Sequence, residues 1–143
     1  MCGHDVGDDM DALREVMGVC PQHDVLWPDL TAREHLAMFA DIRGISAAQI
    51  PDYVDEKLHE ILLQNVADVP SGKFSGGMKR RLSIGISSIG NPRVIFMDEP
   101  TTGTDPGNRR MIWSLCALPA LLYTVPVCTA VPGLGTAHAH HCI

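Results

Sequence analysis

Two adjacent carboxylates, Asp98 and Glu99, directly follow the apolar run at residues 94–97. A run of this kind, without alternation, is typical of a strand covered on both faces of a parallel sheet. Ligands of open α/β sheets bind outside the carboxyl ends of the strands, and neighbouring strand residues point to opposite faces. One acid could therefore hold Mg²⁺ while the other orients or deprotonates a water molecule. A turn with two solvated acids is the alternative for the dipeptide taken alone.

The segment FSGGM, at residues 74–78, places a serine and two glycines where a helix is predicted to begin. Glycines there let another molecule approach the backbone closely. The free N–H groups and the dipole of a helix N-terminus favour an anion, and the Ser75 hydroxyl would add a donor. The alternative is that Ser75 only caps the helix and that the glycines form a hinge.

The elements that must position these residues follow from the apolar pattern. Residues 16–20 form a short apolar run, which predicts a buried strand that leads into a loop at Pro21. Thr31 and Glu34 have the spacing of a capping box at the start of a helix. Gly44 is a natural end for that helix.

Three further helices and the strand before Asp98 complete the predicted order. One helix is predicted over about residues 52–64, and the next opens at Ser75 and ends before Gly90. The inner stripe of the latter helix comprises Met78, Leu82, Gly85, Ile86 and Ile89. The basic residues predicted to lie mostly outside this stripe are Lys79, Arg80 and Arg81. With a last helix beginning at Pro106, the order of strand, helical insert, strand and helix predicts an α/β fold.

The composition is that of a globular domain and excludes some classes of protein. The chain has 143 residues, of which 45% are hydrophobic and 20% are charged, as in one ordinary domain. A net charge of −6 does not favour nonspecific binding to nucleic acid or anionic lipid. The five scattered cysteines imply neither a disulfide framework nor a zinc site. The acidic N-terminus does not resemble a signal peptide.

Several isolated residues are predicted to have ordinary structural roles. Histidines 4, 23, 35 and 59 lie beside acids or on predicted helix surfaces, where solvation is the default. Trp27 and Trp113 are predicted to pack against other residues.

Taken together and in this order, PQ, SGGMKRR, VIFMDEP and TTGTDP make the chain similar to the nucleotide-binding domain of ABC transporters over residues 18–115. The stretches GVCPQHDVLWPDLTAREHL and FSGGMKRRLS resemble the A subfamily in particular, whose known members mostly move lipids. The resemblance implies a P-loop NTPase fold that uses ATP and Mg²⁺ to drive transport. It also places the domain on the cytoplasmic face of a membrane, held there by the transmembrane domains of the transporter. DNA-repair ATPases share SGG and DE motifs, but they carry long coiled coils and no heptad run occurs here.

The resemblance assigns roles to the residues at the two predicted strand ends. Gln22 matches the Q-loop glutamine, which in the family contacts Mg²⁺ and the attacking water and senses the transmembrane domain. Asp98 matches the Walker B aspartate that binds Mg²⁺, and Glu99 matches the general base.

The resemblance also assigns roles at the contact between two domains. Ser75, Gly76 and Gly77 match the signature motif, which in the family binds the γ-phosphate of ATP held by the opposite domain of a head-to-tail dimer. Asp105 matches the D-loop aspartate that couples the two sites. Thr104 departs from the usual leucine before it, and this is expected to loosen the dimer contact slightly.

By the same resemblance the chain divides into four segments. Residues 1–30 would be a partial ATPase core with the Q-loop, and residues 31–90 a helical subdomain with the signature motif. Residues 91–115 would contain the Walker B strand, the D-loop and the following helix, and residues 116–143 form a divergent tail.

The P-loop, GxxxxGK[ST], has no match in the 143 residues, since Gly72-Lys73 is followed by Phe74. This loop supplies the N–H groups and the lysine that hold the phosphates. No strong ATP binding is therefore expected from the chain alone, and the NTPase domain is expected to be incomplete. Two functions stay open. The chain is a fragment of an ATP-hydrolysing transporter domain, or it is a non-catalytic product that presents its signature motif to an intact partner domain.

The tail departs from the family beyond about Cys116. It has no Asp, Glu, Lys or Arg after Arg110, but three prolines interrupt it and argue against a membrane span. Neither the family's next strand nor its switch histidine is identified there, which indicates a frameshift, a retained intron or a gene-model error. The cluster of His138, His140, His141 and Cys142 is interpreted as a chance group and not as a metal site.

Overall fold

A computed structural model of the chain describes residues 10 and 16–98, together with the backbone of residues 121–125. The elements in these residues are β1 (Met17–Cys20), α1 (Ala32–Ile42), α2 (Ile50–Glu60), α3 (Gly76–Ser87), β2 (Val94–Asp98) and β3 (Leu121–Val125), with 3₁₀ turns at Gln64–Val66 and Ser71–Lys73. The helices and the parallel sheet give the α/β class that the sequence predicted. The part of the chain described here contains no helix with the length and hydropathy needed to cross a membrane.

The described strands form a sheet with the order β1-β2-β3, and both pairs are parallel. Cys20 lies opposite Met97, and Asp98 lies opposite Val125, so the carboxyl ends of all three strands meet at one edge. Strand β3 has the sequence LLYTV, which is rich in residues that favour strands. It lies in the tail, where the sequence analysis had not identified a strand.

The three helices pack around one apolar core. Its largest members with at most 1% exposure are Leu36, Val54, Leu58, Leu63, Leu82 and Ile89. The predicted inner stripe of α3 contributes Leu82 and Ile89 directly, while Met78 and Ile86 pack against the core as partly buried residues. The stripe predicted from helical spacing is therefore confirmed.

Helix α2 ends at Glu60, and the prediction that it continues to residue 64 was wrong. The helix stops in a Schellman motif, in which the Leu63 N–H donates to the Leu58 carbonyl at 2.9 Å. Leu62 takes a left-handed conformation with φ of 54°, a position that glycine usually occupies. Because a leucine stands there, no residue in the sequence marked the end. The motif places Leu63, which is 1% exposed, in the core.

The close approach of α3 to β1 depends on Gly18. A Cβ atom built on Gly18 would lie 2.1 Å from the backbone oxygen of Ser87, the last residue of α3. This distance leaves no room for a side chain, so the helix and strand are in contact through backbone atoms.

His35 is fully buried, which contradicts its predicted solvation. Its Nε2 accepts a hydrogen bond from the Trp27 N–H at 3.0 Å, and its Nδ1 lies 2.8 Å from the Thr31 carbonyl oxygen. An accepting Nε2 requires the proton on Nδ1, which then donates to that carbonyl. The Trp27 ring lies 5.8 Å from the His35 ring and 6.2 Å from the Phe39 ring, yet it is 48% exposed. Its predicted packing role is therefore fulfilled on one face.

The capping box at the start of α1 is formed as predicted, and it gives the Glu34 carboxylate two hydrogen-bond donors. The Thr31 N–H donates to the Glu34 carboxylate at 2.8 Å, and the Glu34 N–H donates to the Thr31 hydroxyl at 3.2 Å. The first of these bonds, helped by the Thr31 hydroxyl, lowers the pKa of Glu34 below its usual value.

Because the folded-state pKa of Glu34 is lowered, its contribution is fully present above the unfolded-state pKa of about 4.3 and is lost as pH falls through the folded-state pKa. We expect wild type to be more stable than Glu34→Gln at pH 7, with the gap closing below about pH 4. Thermal unfolding at several pH values measures this. A gap that stays constant down to pH 3 would contradict it.

Candidate functional site

Gln22 and Asp98 leave neighbouring parallel strands at the same edge of the sheet. Cys20, the last residue of β1, pairs with Met97, and Asp98 follows as the last residue of β2. Both Gln22 and Asp98 are exposed. The topology thus brings together two residues that lie 76 positions apart (98 − 22) in the chain.

A single side chain, Arg80 on α3, joins these two strand ends. Its Nη1 donates to the carbonyl oxygens of Pro21 at 2.6 Å and Gln22 at 3.2 Å, and lies 3.4 Å from Oδ1 of Asp24. Its Nη2 donates to the carbonyl oxygen of Asp98 at 3.1 Å. The guanidinium therefore fixes the position of the Gln22 backbone relative to the Asp98 backbone.

Arg80 lies outside the inner stripe of α3 as predicted, yet it is only 5% exposed, which its place outside that stripe did not indicate. Helix α3 is buried on two sides. Arg80, Ile84 and Ser87 form a second buried stripe at helical spacing, and contacts to Pro21 and Gly18 place this stripe against β1. Only one of its three members is apolar, so a search for apolar periodicity does not detect it.

The predicted signature motif forms the N-terminus of α3. Ser75 is the N-cap, and its hydroxyl oxygen accepts the Met78 N–H at 3.3 Å. The capping interpretation is therefore correct, and the hydroxyl hydrogen can still donate to another group. Ser75 and Gly76 are exposed, and Gly77 is half-buried.

Among the described residues, Gly76 has no neighbour that requires a glycine at this position. A Cβ atom built on it would find no heavy atom within 4 Å. Glycine in a helix is less favourable than alanine by about 1 kcal/mol. The open space in front of this residue is consistent with the approach of a second molecule.

The charges at the strand ends suit a magnesium ion better than a metal held wholly by protein. Asp98 offers an exposed carboxylate, the hard oxygen ligand that Mg²⁺ takes. In residues 16–98, no three His, Cys, Asp or Glu side chains come together as a metal-binding group. Mg²⁺ normally keeps several waters and binds phosphate oxygens with one or two carboxylates, so the residues present fit it.

Cys20 lies next to this site but offers no reactive thiolate. It is fully buried, and burial raises the pKa of its thiol, although the nearby Arg80 acts in the opposite direction. The thiol is therefore protonated near neutral pH. It is a free cysteine that packs at the end of β1.

Two of the predicted site residues, Glu99 and Asp105, lie outside the described residues, as do the histidines of the tail. The others form two groups. Gln22 and Asp98 lie at the sheet edge, and Ser75, Gly76 and Gly77 lie at the N-terminus of α3. Arg80, which was not among the predicted site residues, connects them.

Comparison with known proteins places this geometry in a family. Residues 1–102 match the sequence model of the ABC transporter family. ABC transporter A family members 7 and 3 of Arabidopsis thaliana are each 50% identical to the chain over 115 residues, which cover 79% of the chain and 12% of each relative. Member 4 is 49% identical over 112 residues, covering 77% and 12%. The chain thus spans about an eighth of the length of these relatives, and it belongs to the ABC transporter family, with the ATP-binding domain sequence of the A subfamily.

Proposed function

We propose that the chain supplies the signature motif, the Q-loop and the Walker B aspartate of a domain that couples ATP hydrolysis to lipid-type transport. The observation that carries the proposal is the open N-terminus of α3, where no heavy atom of the described residues lies within 4 Å of a Cβ atom built on Gly76. Exposed N–H groups at such a terminus bind anions well.

Asp98 and Gln22 are proposed to hold Mg²⁺ at the sheet edge. When bound, the ion neutralises charge on the phosphate oxygens of ATP. Glu99, which follows Asp98 in the chain, is proposed to accept a proton from the attacking water. Arg80 sets the backbone from which Asp98 projects.

Ser75, Gly76 and Gly77 are proposed to face the γ-phosphate of an ATP molecule held by a second nucleotide-binding domain in a head-to-tail pair. The Ser75 hydroxyl and the first N–H groups of α3 act as donors there. Asp105 is proposed to contact the same partner and to couple the two ATP sites.

The wider context of the domain rests on the resemblance to the A subfamily. We propose that transmembrane domains of the transporter hold it at the cytoplasmic face of a membrane and select a lipid. The division into residues 1–30, 31–90, 91–115 and 116–143 is proposed as the plan of an incomplete P-loop NTPase domain with a helical subdomain.

A second candidate function rests on the exposure of Ser75 and Gly76 at the start of α3. In it, the chain presents Ser75, Gly76 and Gly77 to an intact domain and does not itself hydrolyse ATP. Both candidates require the same contact between α3 and a nucleotide on the partner.

Nucleotide-dependent pairing tests this shared requirement. The full chain is mixed with the nucleotide-binding domain of an A-family relative, with Mg²⁺ and a non-hydrolysable ATP analogue, and association is measured by sedimentation velocity. We expect a heterodimer only when nucleotide is present, and equally with Asn65→Ala, a change at an exposed residue outside α3. Pairing that ignores nucleotide, or no pairing, would contradict both candidates. Transcript sequencing then separates them, because only the first candidate requires a GxxxxGK[ST] loop encoded upstream of residue 1.

A further inference from the structure

The buried Arg80 guanidinium, which is carried by α3, contacts both the loop after β1 and the end of β2. Its donors reach Pro21, Gln22 and Asp24 on one side and Asp98 on the other. Every one of these partners lies at least 18 residues away in sequence. The contact is therefore purely tertiary.

The chemistry of this contact is unusual for a residue that only fills space. A buried charge is costly unless it is paired and fully hydrogen-bonded. The Asp24 carboxylate is 3.4 Å away, and the bonds to the neutral carbonyl oxygens of Pro21 and Asp98 are shorter. An apolar side chain of similar volume would avoid this cost. The guanidinium instead offers a rigid, planar set of donors that can bind two backbones at once.

Arg80 also lies close to the signature motif on the same rigid element. It follows Ser75 by five residues, which is about 7.5 Å along a helix axis. A shift of α3 caused by a ligand at its N-terminus would therefore move the guanidinium, and with it the carbonyl groups of Gln22 and Asp98. Since α3 packs closely on β1 at Gly18, a small displacement cannot be absorbed between them.

We propose that Arg80 is a positioning residue that couples the signature motif to the Q-loop and the Walker B aspartate. Nucleotide bound to Ser75, Gly76 and Gly77 on one side of the paired domains would then change the placement of Gln22 and Asp98 in the chain's own site. The inference rests on the proposed function, because it needs the partner domain and its nucleotide.

Hydrogen exchange of the full chain, followed by mass spectrometry over residues 17–24, tests the coupling. Coupling between sites is typically 5- to 150-fold. In wild type we expect pairing with the partner domain and the ATP analogue to slow exchange in residues 17–24 by at least about fivefold. Arg80→Lys keeps the positive charge beside Asp24 but loses the planar fork. It should pair with unchanged affinity while its exchange in residues 17–24 no longer responds.

Two further variants test whether the exchange response depends on the hydrogen bonds that Arg80 makes to both backbones or only on the local charge. Asp24→Asn removes the carboxylate and leaves the carbonyl contacts, so it should respond like wild type. Arg93→Met removes a basic charge at an exposed residue outside α3 and should also respond like wild type. If Arg80→Lys fails to fold, as judged by circular dichroism, Arg80→Met replaces it.

The outcomes distinguish this inference from the proposed function. If pairing slows exchange in residues 17–24 of Arg80→Lys as it does in wild type, the coupling role is overturned. The coupling role is also overturned if wild type pairs normally but its exchange in residues 17–24 does not change. Either result leaves the proposed function intact. Failure of wild type to pair overturns the proposed function and the inference with it. In the unpaired chain, exchange in residues 17–24 should already be about tenfold or more faster in Arg80→Lys than in wild type, and equal rates would overturn the bridge itself.

Discussion

Gly76→Asp should abolish nucleotide-dependent pairing while leaving the fold as stable as wild type. The new side chain enters space that the described residues leave open, since none of their heavy atoms lies within 4 Å of the Cβ position. A carboxylate in the first turn of a helix is favourable by about 0.3–1 kcal/mol. The same charge would face the γ-phosphate of the partner's ATP, and like charges brought together at an interface cost several kcal/mol. We expect affinity to fall at least about a hundredfold.

Sedimentation velocity with the ATP analogue measures the pairing, and thermal unfolding by circular dichroism measures the fold. Asn65→Asp is the matched control, because it adds the same charge at an exposed residue outside α3. Pairing that survives Gly76→Asp would show that α3 does not face a phosphate. Loss of stability would show that residue 76 is not open.

Gly18→Ala should destabilise the fold strongly, and much more than Gly76→Ala. The new Cβ would lie 2.1 Å from the Ser87 backbone oxygen and 3.2 Å from its carbonyl carbon. Backbone atoms cannot rotate away as a side chain can, so α3 must move off β1. Overpacking typically costs about 1–3 kcal/mol and occasionally more, and here we expect the upper end. The displaced helix should also weaken the bonds from Arg80 to Pro21 and Gln22.

Urea unfolding of the full chain measures this cost, and Gly76→Ala is the control for the same chemical change. At residue 76 no heavy atom of the described residues lies within 4 Å of the added methyl group. The Gly76→Ala variant should therefore be as stable as wild type or more stable by up to about 1 kcal/mol. Equal stability of the two alanine variants would mean that α3 and β1 do not approach as closely as described.

The sequence alone determined the features that depend on short-range chemistry. The starts of α1 and α3 were predicted correctly, because Thr31 and Ser75 form cap hydrogen bonds within three residues of themselves. The apolar runs before Pro21 and Asp98 identified β1 and β2, and the motifs identified the family. The roles of Gln22, Asp98 and the signature residues remain predictions from the resemblance.

Only the tertiary structure decided the features made by residues far apart in the chain. Arg80 is buried because the carbonyl oxygen of Pro21, 59 residues away, lies where its guanidinium can bind it. His35 is buried because it accepts a hydrogen bond from the Trp27 backbone in the preceding loop. Helix α2 ends early at a leucine because Leu63 is drawn into the core. A local sequence pattern shows which residues are apolar. It does not show which polar groups from other parts of the chain will contact a residue such as Arg80 or His35 in the folded protein.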